Sequence, residues 1–406
     1  MEELRTPPPS EVAADPGESR RIPALLAGYA TFGMYWGAWV ILVAELNRDH
    51  GLSYGANGLL LALLSIVAVL VMAFVAPRLT RYPLGALVAV SLMALGVAAI
   101  AMAVLPTRAL WIAFVLVGVG NGLIDVFLNV EAQRVEVSTG RPVLQWLHAS
   151  YAAGGVAGAL LGGIVVAAGI DYRTGIAATG LALFLSAWWN ARRGSLERGS
   201  PEEETATFSL SAFTRHPALW VPALVVAFAF LVEGSMDTWS GLYLQDQLGA
   251  SAVKAAVAFA AFSTSLCLGR LFAGGVLFGL GRRATIVISG AGAAVGGAIA
   301  ALTDSTAVVA VAFLLMGFAI SSAAPAAFGL VDEAAPGDQA NGVAAVTTVG
   351  YSGFVWSPPI FGWIATAFDL RAAMTLIVVS TVGIIGAGLA APRGRTPSRS
   401  SAATAG

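Results

Sequence analysis

The chain has 406 residues, 57% hydrophobic and only 11% charged, with mean hydropathy +0.80 and formal net charge −1. Soluble domains carry about 25% charged residues, so this composition excludes a soluble globular domain and identifies an integral membrane protein. No basic excess calls for a nucleic-acid partner, and a single cysteine, Cys267, excludes an intramolecular disulfide.

Residues 1–21, "MEELRTPPPSEVAADPGESRR", form a polar, proline-rich tail without an apolar core. It lacks the plan of a cleavable signal peptide, so the first apolar helix is expected to remain in the mature protein. Crossing a hydrocarbon core of about 30 Å takes about 20 helical residues. Stretches of that kind recur at 22–44, 56–77, 84–105, 109–131, 143–170, 174–190, 218–242, 253–277, 284–303, 306–331, 341–366 and 370–391. The predicted fold is all-α and polytopic, with twelve transmembrane helices, the sixth the shortest.

The basic residues orient this array. With both termini cytoplasmic, sixteen Lys and Arg lie inside, five (Arg48, Arg108, Arg173, Lys254 and Arg371) outside, and Arg270 within a span. That asymmetry satisfies the positive-inside rule. A polar, Ser- and Gly-containing stretch at 191–216 falls at the chain's midpoint and is predicted to be a cytoplasmic linker. It divides the chain into bundles 22–190 and 217–391, followed by a cytoplasmic tail at 392–406. The halves look alike: "LVGVGNG" in the fourth span matches "LMGFAIS" in the tenth, 199 residues on, and Trp39 and Trp239 open similar stretches. Such parallel repeats predict two pseudo-symmetric six-helix bundles.

Span 1 places Tyr29, Phe32, Trp36 and Trp39 near one face. Aromatic side chains lining a cavity stack on sugar rings or flat apolar solutes; packing, or an interfacial belt for Trp39, is the alternative. Span 4, "GNGLIDVFLNVEAQRVE", carries Asn121, Asp125 and Asn129 at intervals of four, hence on one stripe. An ionised Asp near the bilayer centre costs about 2.5–3.5 kcal/mol and should face a partner or a wet cavity. In span 5, His148 is expected at the depth of Asp125, which suggests a proton-handling Asp–His pair; a purely structural pair joining the two helices is the alternative. Glu131 points elsewhere and lies one turn from Arg134, as in an interfacial ion pair, and it completes the set of candidate proton-linked groups with Glu233.

Glu233 and Asp237 share a face of span 7 in "FLVEGSMDTWSGLY". They suit a substrate or proton site, or else a hydrated vestibule rim, the role that fits Asp237 the better. In span 5, Gly154, Gly158 and Gly162 form a small-residue face for close helix packing and a possible pivot. Pro358 and Pro359 should kink or break span 11. "GVGNG" at 118–122 lacks the preceding strand of a nucleotide loop. No zinc-ligand spacing or catalytic constellation occurs, so no metal, cofactor or enzymatic activity is expected.

These stretches, with "LQWLHASYAAGGVAGALLGG", "GRLFAGGVLFGLGRR" and "GYSGFVWSPPIFGW", resemble the major facilitator superfamily, nearest its fucose–proton-symporter-related, sugar-permease-like bacterial branch. The resemblance spans about residues 25–390. It implies a rocker-switch transporter of the bacterial inner membrane, monomeric, with lipid, protons and a small solute as partners. It also implies a central cavity lined by helices 1, 4, 7 and 10, with every third helix facing lipid. Acids in helices 1 and 4 handle protons in that branch; here helix 4 has Asp125 and Glu131, while helix 1 has no acid before Glu45. The family's loop signature is kept through Gly269, Arg270, Gly274, Gly281, Arg282 and Arg283, assigning these arginines to gating, but Gly275 replaces the usual Asp. The expected function is proton-coupled solute uptake or metabolite or drug efflux; a transporter-like sensor or lipid-handling protein is the alternative from another class.

Overall fold

The structure is a computed structural model that describes residues 16–193 and 211–392, with backbone alone at 16–17 and 272–278. Most of the expected linker and both distal tails therefore lie outside the described residues, as do side-chain details at Gly274 and Gly275.

Every regular element among the described residues is helical. The long helices are α1 (Ile22–His50), α2 (Tyr54–Leu79), α3 (Leu84–Val104), α4 (Leu110–Thr139), α5 (Val143–Ala167) and α6 (Tyr172–Arg193). They continue as α7 (Trp220–Leu242), α8 (Ala252–Phe278), α9 (Arg282–Leu302), α10 (Thr306–Ile320), α11 (Gln339–Ala367) and α12 (Leu370–Ala390). Ten of the helices among the described residues are long and apolar enough to cross a membrane; α6 and α11 are long enough but less apolar. Arg173, Asn190, Arg192 and Arg193 dilute α6, and Gly, Ser, Thr and Pro dilute α11.

Local chemistry sets the ends. Ser53 caps α2 by accepting from the Ala56 amide at 3.2 Å, and Asp369 caps α12 by accepting from the Ala372 amide at 2.6 Å. Gly140, at φ 65°, stops α4 in the left-handed conformation that costs glycine least.

Three predicted spans differ from the outcome. α4 runs on to Thr139 instead of stopping near 131, because its polar end pairs internally: Arg134 Nε donates to Glu131 Oε2 at 3.2 Å. The tenth span is interrupted, continuing after α10 as short helices Ala323–Phe328 and Val331–Ala334. Pro358 and Pro359 do not break α11, which is helical throughout. Irregular turns occur instead in α2, a π-turn at Val71–Val75, and directly after Leu242, where a π-turn at Tyr243–Gln247 continues α7. Such turns re-aim the side chains that follow them.

Within the first set of helices, α1 packs on α5 and α6, and α3 on α4 and α6; in the second, α7 packs on α11 and α12, and α8 on α10. The α1–α5 seam is the tightest. A Cβ on Gly154 or Gly158 would overlap the carbonyl oxygens of Ala30 or Met34, and one on Gly37 the carbonyl of Gly155. Small residues let these backbones touch, which is how helices associate where lipid removes the hydrophobic driving force.

Three seams, α1–α7, α2–α11 and α5–α8, join the two sets. Their close contacts gather at one end of the molecule. There a Cβ on Gly241 would overlap the Val40 carbonyl, and one on Gly58 would sit 2.7 Å from the Pro358 carbonyl. Gly163 of α5 faces Ala252 and Ala256 of α8. The π-turn of α7 delivers two polar residues to this end: Gln245 donates to the Ile41 carbonyl at 3.0 Å, and Asp246 accepts from Arg48 at 3.0 Å. Trp239 stacks on Phe361 at 5.1 Å beneath them.

Candidate functional site: a two-sided cavity

A cavity of about 340 Å³ lies between the two sets, lined from α1, α2, α4, α5, α7, α8 and α11. Its volume falls in the range of small-molecule sites. None of α3, α6, α9 and α12 contributes a lining residue, as expected of helices facing lipid. α10, expected to line the cavity, contributes none either, while α2, α5, α8 and α11 do.

From α1, Tyr29, Phe32 and Trp36 reach the cavity. Trp39 does not: one more turn along the helix brings it against Phe114, with ring centroids 5.6 Å apart, and leaves it 3% exposed. The expectation that Trp39 lines the pathway is corrected to packing. Trp36 uses its indole N–H on Asn121 Oδ1 at 3.1 Å, tying α1 to α4 at the cavity wall.

The polar stripe of α4 divides. Asn121 and Asp125 line the cavity; Asn129 does not, and its amide instead donates to the Asp125 carbonyl of its own helix at 2.6 Å. Asp125 Oδ2 accepts a hydrogen bond from Tyr351 Oη of α11 at 2.7 Å, across the cavity. The anticipated Asp125–His148 pair is not formed. His148 lines the same cavity but packs edge-on to Tyr29, 5.8 Å between centroids.

Glu131 stands apart from the cavity. It is 1% exposed, beside Arg134 and, at 3.7 Å, Arg21, both of which also contact Glu18 ahead of α1. The ion pair expected with Arg134 is formed and belongs to an ion cluster near the helix ends, so the structure does not bring Glu131 together with Asp125, His148 and Glu233.

On α7, Glu233 and Asp237 both line the cavity, so neither belongs to an external rim. Arg270 of α8 donates through Nη2 to both Glu233 oxygens at 2.9 Å. Arg270, read from the sequence as a loop-gating residue, is thus a cavity residue whose charge offsets Glu233. The other two signature arginines lie elsewhere: Arg282 pairs with Glu333 at 2.7 Å, and Arg283 donates to the Ala391 carbonyl at 3.4 Å. Pro358 lines the cavity, whereas Pro359 backs onto α2 at Gly58.

Sequence reading did not single out Tyr151, Phe230, Tyr351 and Phe354, all of which line the cavity. The available signal was their placement: Tyr151 lies three residues after His148, and Tyr351 and Phe354 one turn apart before the double proline. Among the described residues, no group of three His, Cys, Asp or Glu side chains is arranged to hold a metal ion.

Comparison with known proteins gives this geometry its context. Residues 25–358 match the sequence model of the Major Facilitator Superfamily. The chain is 30% identical over 374 residues to an uncharacterised MFS-type transporter of Yersinia pestis, covering 90% of this chain and 94% of that one. It is 26% identical over 396 residues to the membrane protein MosC of Rhizobium meliloti, covering 95% and 93%. Among solved structures, a bacterial homologue of the human lysosomal transporter Spinster, inward-facing and unoccupied, superposes with TM-score 0.75 at 15% identity, covering 92% and 96%. The nucleoside transporter NupG superposes with TM-score 0.71 at 11% identity, covering 92% and 98%. These two likenesses establish the fold.

Proposed function

The chain belongs to the Major Facilitator Superfamily, a family of membrane transporters and not of enzymes, and from that premise we propose that it is a proton-coupled secondary transporter of a small solute. In this reading all twelve long helices span a bacterial inner membrane as two six-helix bundles, 22–190 and 217–391, with both termini cytoplasmic. The closed end, where α1 and α7 finish, is then the outer end, and the cavity communicates with the cytoplasm. Transport exchanges this arrangement for one opened between Arg48 and Asp246 and closed on the cytoplasmic side.

The observation that carries the reading is the Asp125–Tyr351 hydrogen bond, 2.7 Å long, joining α4 to α11 inside a solute-sized cavity. An ionised carboxylate only accepts hydrogen bonds, whereas a protonated one also donates. Loading a proton on Asp125 changes which partners it can hold, on a contact that must rearrange if the two bundles rock apart. His148 and Glu233 share the cavity and complete the polar network, with Asn121 and the α1 aromatics as solute contacts. Solute uptake follows from the fucose–proton-symporter-related resemblance; metabolite or drug efflux follows from the apolar, aromatic lining.

The test is internal pH in proteoliposomes as solutes are added. A solute-triggered proton flux that Asp125→Asn abolishes is expected; a flux unchanged in that variant contradicts the proton assignment. A second reading, a transporter-like sensor or lipid-handling protein, draws on the missing acid at Gly275 of the loop signature. Spin labels paired across each end distinguish it: fixed distances with every solute favour the sensor.

A further inference from the structure

The cavity's charges do not balance. It is lined by three carboxyl groups, Asp125, Glu233 and Asp237, against one guanidinium, Arg270, and one imidazole, His148. Glu233 engages Arg270, and Asp125 engages Tyr351. Asp237, one turn beyond Glu233 on the same face of α7, has no hydrogen bond or ion pair among the described residues and is only partly covered. A carboxylate within an apolar enclosure is stable when a cation meets it.

Aromatic side chains line the cavity from both sets of helices. Tyr29, Phe32 and Tyr151 form one cluster, with centroids 5.3–6.2 Å apart. Phe230, Tyr351 and Phe354 form another, at 4.7–6.2 Å. Ring faces attract cations through their negative quadrupole, and the attraction strengthens away from water. An anion would meet excess negative charge. A neutral polyol would find stacking surfaces and hydrogen bonds but would leave Glu233 and Asp237 to share the single Arg270.

We infer that the cavity takes an organic monocation, a protonated amine or quaternary ammonium group, with Asp237 as its counter-ion and the two aromatic clusters as its walls. This rests on reading the cavity as the solute site and assigns that solute's chemical class. Asp237 is then a specificity-determining residue distinct from the proton carrier Asp125.

The test is equilibrium binding to the purified full-length protein, measured by calorimetry with phenyltrimethylammonium, benzenesulfonate and glucose as probes. Saturable binding of phenyltrimethylammonium alone is expected. Asp237→Asn should weaken it at least about tenfold, a loss of about 1.4 kcal/mol, while Asp237→Glu retains most of the affinity. Phe230→Leu should also weaken it, which keeps the test decisive if Asp237→Asn does not fold. No saturable cation binding, preference for glucose or benzenesulfonate, or unchanged cation affinity in the folded variants overturns the inference. Because binding is read without proton flux, cation binding with no flux would defeat the coupling proposal alone. Glucose-driven flux without cation binding would defeat this one alone.

Discussion

Two acids six residues apart on α4 occupy opposite circumstances. Glu131, 1% exposed, sits among Arg134 and Arg21 with Glu18 adjoining, so arginines offset its charge at fixed positions. Asp125 faces the cavity and is met only by a neutral hydroxyl, from the other set of helices. The lesson is that an acid in a membrane helix is not in itself a carrier. An arginine partner on the same set of helices makes a structural fixture, whereas a neutral partner across a cavity leaves the proton free to come and go.

The comparison breaks first at Asp125. The asparagine variant should lose solute-driven proton flux entirely while remaining folded, because an amide keeps the acceptor for Tyr351 but cannot carry a proton. Next comes Glu131→Leu. Removing one member of a buried ion group costs about 3–5 kcal/mol, so the thermal midpoint of the detergent-purified protein should fall markedly. Transport per folded molecule should stay near wild type; a lost flux in folded protein would erase the distinction between the two acids. Tyr351→Phe removes one hydrogen bond across the cavity, worth about 0.5–1.5 kcal/mol, and should slow coupled transport up to about tenfold with only a small fall in the thermal midpoint. Asn129→Ala should have the smallest effect, since Asn129 does not line the cavity and its amide donates to the Asp125 carbonyl of its own helix; transport assays should find it close to wild type.

Composition and periodicity made the helices legible, and the resemblance supplied the family. Spacing by four also put Asn121 and Asp125 on one stripe correctly, because that rule concerns a single helix. Asn129 on that stripe, and Trp39 on the aromatic face of α1, fall outside because the cavity is narrower than either face: one further turn of α4 or α1 leaves it. Partners were the harder part. Tyr351 is 226 residues from Asp125, and no local pattern specifies which helix faces which across a cavity. Depth along the helix correctly brought His148 to the same cavity, yet depth says nothing about azimuth, and His148 turned to Tyr29. The loop motif at Arg270 says nothing of Glu233, the partner that the neighbouring helix supplies. Of the kink or break that the double proline predicts, the break does not occur: proline leaves a helix continuous when neighbouring helices hold it, and α2 packs directly there at Gly58.

The most direct measurement is infrared difference spectroscopy of the reconstituted protein as solute is added, following the carboxyl C=O stretch. The account predicts a protonation band that changes with solute, disappears in Asp125→Asn and persists in Glu131→Gln. A band that survives in Asp125→Asn and vanishes in Glu131→Gln would contradict it, moving the proton to the ion cluster and leaving Asp125 a tie between helices.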